Sequence, residues 1–120
     1  YSYDKKEDKL TAVSNYNLPS KVQGVAFDDN GSIYLSTSYG RNNSSYLKVY
    51  SSLLSLDKKP NEPKVKVEMP PCSEEVAIAD GTVFVLFESA SAKYFEGTDG
   101  MGKSPAPIDK LLEVSVASIW

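Results

Sequence analysis

Apolar residues along this chain recur with a period of two. In IYLSTS (33–38) alternate residues favour one face, while TVFVLF (82–87) is apolar on both, as a strand covered on both sides must be. β-Branched and aromatic residues crowd these runs. Turn formers stand between them: Asp29-Asn30-Gly31, Asp80-Gly81, Arg41-Asn42-Asn43-Ser44 and DKKPNEPK (57–64). The pattern predicts no amphipathic helix and, at most, a short turn over 51–56. It predicts an all-β chain.

The pattern also repeats. LPSKVQGVAFDDNG begins at Leu18 and returns fifty-one residues later as MPPCSEEVAIADG, beginning at Met69. Leu18-Pro19 falls on Met69-Pro70, Val25-Ala26-Phe27 on Val76-Ala77-Ile78, and Gly31 on Gly81 after a one-residue deletion. SIYLSTS then parallels TVFVLFES, and SYLKVY parallels KLLEVSV. Each unit reads as an inner strand (22–27; 75–79), a second (32–38; 82–89) and a third (46–51; 110–116), with a fourth, KVKVEM, in the first unit.

Residues 1–20 read as the tail of a preceding unit, 21–68 as one unit and 69–120 as the next. Four antiparallel strands per repeat of about 40–50 residues is the pattern of a β-propeller blade. A blade needs neighbours on both faces, and a ring of 4–8 blades needs at least ~200 residues. On this reading the chain is the C-terminal portion of a longer propeller, about two and a half blades, or one of several copies that assemble a ring. A small β-sandwich built from the same strands is the alternative. The chain opens at YSYDKKEDK without methionine, which fits a processed or excised piece.

Charge and composition narrow the partners. A net charge of −3 and a single arginine, Arg41, among thirteen basic residues leave no basic stripe for nucleic acid or an anionic membrane. No apolar run reaches the ~18 residues of a membrane span. Cys72 is the only cysteine and histidine is absent. That removes an internal disulfide, a Ser-His-Asp triad, a Cys-His pair and any His-ligated metal.

Several motifs are weaker than they look. GTDGMGKS (97–104) fits the phosphate-loop pattern, but Pro105 and Pro107 follow at once and the helix such a loop needs cannot start there. It reads as a mobile Gly-rich insertion. The stretch FDDNGS (27–32) lacks the spaced ligands of a calcium loop and reads as an Asn-Gly β-turn. The sequons at Asn42 and Asn43 matter only in a eukaryotic secretory pathway. Cys72 reads as a small half-buried residue, and Lys93, Tyr94 and Phe95 read first as packing and surface residues.

The repeat itself nominates a site. Gln23 and Glu74 hold equivalent places just before the inner strands, at the mouth of the channel a propeller would have. An amide oxygen and a carboxylate there suit a hard cation such as Ca²⁺, or they cap strand ends. A second polar set (Ser36, Ser38, Arg41, Glu88, Ser89 and Asp109) sits near other strand ends, with Arg41 expected to pair with Glu88 or Asp109. Gln23, Glu74, Arg41, Glu88 and Tyr94 are thus the candidate ligand-binding residues, and Glu74 and Gln23 the candidate metal ligands.

VQGVAFDDNGSIYLSTSYG and SEEVAIADGTVFVLFES resemble the repeats of the regucalcin/gluconolactonase and strictosidine-synthase-like propellers. A group of bacterial secreted propeller proteins is more similar still, through Gln23-Gly24, Ser38-Tyr39-Gly40-Arg41, Ser45 with Leu47, Pro70-Pro71, Glu74, Glu88-Ser89 and Lys93-Tyr94. The resemblance implies a six-bladed, secreted propeller that binds a ligand or serves as a scaffold. Its missing blades would come from the same precursor or from other copies. In the gluconolactonase-like families an Asn and an Asp bind a divalent metal that polarises a lactone or ester. Gln23 falls on the Asn position and Glu74 on the Asp position, each one methylene longer. A metal-dependent hydrolase is therefore the second expectation.

Overall fold

The computed structural model describes all 120 residues. Strands take 38 % of the chain and helical turns 12 %, in three antiparallel sheets, so the class is all-β as the period of two predicts. A hairpin of β1 (Ser2–Asp4) and β2 (Lys9–Thr11) stands apart and exposed. The first large sheet runs β3 (Val22–Phe27), β4 (Ile33–Thr37), β5 (Ser45–Tyr50) and β6 (Val65–Met69) in chain order. The second runs β7 (Ser73–Ala79), β8 (Thr82–Phe87) and β9 (Leu112–Ser115), and has no fourth strand.

Helical turns are the main departure from the period-two reading. α1 (Leu53–Lys58) forms because Ser52 accepts from the Ser55 amide while the Ser55 hydroxyl accepts from the Ser52 amide, a reciprocal cap on two free donors. The expected turn over 51–56 is this helix, shifted by two residues. α2 (Ala92–Phe95) and α3 (Val116–Ile119) are single turns. None of the three is long and apolar enough to cross a membrane.

The two large sheets stack face to face through β7 on β3 and β4. Ala26, Tyr34, Leu47 and Val49 of the first sheet meet Val76, Val83, Val85 and Phe87 of the second in one apolar cluster. Each fully buried side chain of this kind is worth about 1.5–3 kcal/mol. The first sheet's other face buries Ile33, Leu35 and Tyr50 under Leu56 of α1. Alternation on each strand thus divides the repeat into a first face (Ile33, Leu35; Val83, Val85) and a second (Tyr34; Phe84).

Two polar contacts lock the stack. The fully buried hydroxyls of Ser36 and Ser73 meet at 2.7 Å across the seam. The Trp120 indole N–H donates to the Tyr34 hydroxyl at 2.8 Å, and that hydroxyl donates to Asp28. Asp28 also accepts from the amides of Asn30 and Ser32, which builds the turn expected at Asn30-Gly31. Gly24 lets the sheets close: a Cβ there would lie 2.7 Å from the Val76 nitrogen and 2.8 Å from the Glu74 oxygen.

Candidate functional site

Four strand ends meet at one rim: the starts of β3 and β7 and the finishes of β4 and β8. The repeat is reproduced there in detail. Lys21 and Cys72, each three residues after the repeat's first residue, both adopt left-handed backbone, φ 65° and 67°. Their carbonyls accept from equivalent amides, Ser38 at 3.1 Å and Glu88 at 3.0 Å. Each inner strand then bulges. The ladder skips between Val22 and Gly24 in one sheet and between Ser73 and Val76 in the other. A bulge frees its residue from the ladder and re-aims the side chain, and the residues freed are Gln23 and Glu74-Glu75.

The side chains converge unevenly. Glu74 lies beside Glu88, and the Tyr94 phenol and the Lys93 ammonium stand next to Glu88 in turn. Burial, then repulsion from Glu88, pushes the Glu74 carboxyl above the usual range. Tyr94 is raised by its bond to Glu88 and then by burial. The Cys72 thiol beneath them is 2 % exposed and pushed up by that burial, then by Glu88. Gln23 sits across the seam; its amide nitrogen donates to the Ser38 carbonyl at 3.4 Å, and it stays exposed.

Arg41 does not pair with Glu88 or Asp109. It is buried against Asp99, with a second bond to the Gly102 carbonyl, and its guanidinium lies 4.6 Å from the Tyr94 ring centre. That bond holds Asp99 below the usual carboxylate range and raises Arg41. The Gly-rich insertion is thus clamped rather than free. Gly97, Gly100 and Gly102 take positive φ so that it can fold back over Arg41, and the Ser104 amide donates to the Tyr94 carbonyl at 2.6 Å. No helix starts at Ser104, where Pro105 and Pro107 follow in irregular backbone, and its buried hydroxyl has no partner.

Of the second polar set, Ser36 is in the seam and Ser89 accepts from the Ile108 amide at 2.8 Å. Asp109 stays exposed and outside the rim contacts. Sequence reasoning missed Asp99 and the Ser36–Ser73 pair. An Asp before a glycine was the available signal for the first; nothing local marks the second.

No group of three or more Cys, Asp or Glu side chains converges in a metal-holding arrangement. Gln23 and Glu74 provide two donors, so a divalent cation held here would take its remaining ligands from outside this chain. No family model, curated protein or solved structure matches the chain.

Proposed function

We propose that this chain is part of a β-propeller whose rim binds a small polar ligand. The observation that carries the reading is the repeated device at the rim: two equivalent bulges, each behind a left-handed residue, that turn Gln23 and Glu74 out of their ladders at the same end. Strained backbone of this kind costs roughly 1–3 kcal/mol per residue and persists where the surroundings hold it, commonly at binding sites.

The ligand's chemistry follows from the charges. Arg41 is neutralised by Asp99, which leaves Glu74, Glu75 and Glu88 facing one cation, Lys93. A ligand that brings an ammonium or several hydroxyl donors relieves that repulsion. The reading is binding rather than catalysis because the chain has no histidine and its one thiol, Cys72 under the rim, is held protonated. The hydrolase expectation, which needs a full metal shell, gains no support from two donors. The secreted location rests on the resemblance alone.

The test is an amide-resolved NMR titration with calcium chloride and, separately, with glucosamine, an ammonium-bearing polyol. Glucosamine shifts focused on Gln23, Glu74, Glu88 and Tyr94, and lost in Glu74→Gln, are expected. Shifts with calcium alone favour the metal reading. An unmoved rim with both sinks the proposal.

A further inference from the structure

We propose that a second copy of this chain docks on the open second face of the second sheet, using the inner edge of its own first sheet. The seam already in the molecule is the template. There the first sheet contributes its second face, and β7 brings Val76 and Ile78, from its first face, against it. The repeat states what the same seam would need one step further on. Gly24, Ala26, Tyr34, Ser36 and Leu47 of the first sheet correspond to Glu75, Ala77, Phe84, Leu86 and Leu111 of the second.

The latter five residues line one shallow hollow on the second sheet's uncovered face. Leu86 is 50 % exposed there, whereas its counterpart Ser36 is fully covered. The complementary half lies at the other end of the same chain. Val76 and Ile78 correspond to Val25 and Phe27, which are 50 % and 53 % exposed on β3. α1 covers Ile33, Leu35 and Tyr50 on that face and leaves the β3 edge open. The edge is enough, because the existing seam is made by one inner strand lying on two strands of its neighbour.

Charge agrees with this pairing. Lys48 and Lys66 stand directly opposite each other on the first face. Like charges so placed repel, and the chain's two ion pairs involve neither. Burial and Lys66 depress the Lys48 ammonium. The second sheet's open face carries carboxylates in return, Glu113 on β9 beside Ser115, and Glu75 at the hollow.

The two halves differ, so the contact is head-to-tail. Such a contact closes into a ring if the rotation allows and otherwise extends. The inference rests on the blade reading for this geometry and shares with the rim only Glu75, which neither face variant alters, so a ligand titration on monomeric variants still tests the rim by itself.

The experiment is sedimentation velocity over roughly 10–500 µM, the range of a weak interface smaller than the standard size. It uses the 120-residue chain, Leu86→Lys, Phe27→Lys and a control, Leu54→Lys, on α1. Concentration-dependent association of the wild type and control is expected, with each face variant monomeric on its own. An equimolar mixture of the two face variants must then give a dimer and nothing larger, because one intact half remains on each partner. Matched circular dichroism melts check that the variants fold, and Leu86→Ser repeats the test with a milder change. A wild type monomeric throughout, association that survives both lysines, or a mixture that stays monomeric overturns the proposal.

Discussion

Lys21 and Cys72 differ in size, charge and burial, yet both hold the left-handed conformation at the same point of the repeat. What they share is the task of turning the chain into an inner strand with the carbonyl aimed at the finish of the next. Glu74, two residues on, bears the electrostatic cost. Its carboxyl is raised by burial and by Glu88, so the folded state holds its proton more tightly than the unfolded chain, whose value is about 4.5.

Linkage then gives a sign: this group opposes folding increasingly as pH rises from about 4.5 through its raised folded value. Glu74→Gln should therefore stabilise the protein at neutral pH and change little at pH 4. The group is largely solvent-screened, so the gain is about half a kcal/mol. Thermal melts across pH 4–8 check it, and a gain that grows toward acid would contradict the assignment.

At the scale of elements, the strands were legible because alternation and turn residues agree. β3 runs over the residues predicted, and β4 to β9 differ by one or two residues at an end, whereas the β1–β2 hairpin falls in the stretch read only as the tail of a preceding unit. α1 was not legible: six residues hold too little of a 3.6-residue period, and its cap is made by Ser52 and Ser55, which also read as turn formers. The bulges escaped for a related reason. A ladder defect depends on the partner strand, so Gln23 and Glu74 could be nominated from the repeat while the device that exposes them could not.

Gly24 marks the closest approach of the inner strands. Gly24→Ala should cost about 1–3 kcal/mol by overpacking against the backbone of Glu74 and Val76, read as a lower denaturant midpoint with an unchanged slope. The insertion after α2 makes a separable prediction. In Arg41→Ala, Asp99 and the Gly102 carbonyl lose their shared donor. Limited proteolysis should then cut within residues 97–104 several-fold faster while the sheets stay intact. An unchanged cleavage rate would mean that the glycine turns hold the insertion without Arg41.

On the scale of the whole molecule, the repeat fixed which face of each sheet is first and which is second, and that ordering runs through the seam. What the repeat could not fix is which faces are filled. Val76 and Val25 are the same residue at equivalent positions, yet one is buried and the other half exposed. The difference lies in what stands opposite, which is a property of the assembly. The rim was legible in the same partial way: Glu74, Glu88 and Tyr94 lie together, Gln23 stands apart across the seam on the Ser38 carbonyl, and Arg41 turned to a partner that arrives from an insertion with no counterpart in the first unit.

Cys72 gives this architecture a built-in clock. It is the chain's sole thiol, lies under the rim at the foot of β7, and is held protonated by its surroundings. An added disulfide reagent can reach it only when the rim over it opens, so the colour it develops counts openings of the unlabelled native protein. Labelling should run at least about 100-fold slower than in denaturant, stop depending on reagent concentration once reagent outpaces reclosing, and quicken in Gly24→Ala. Labelling as fast in the native as in the denatured protein would mean that the rim over Cys72 is never shut for long.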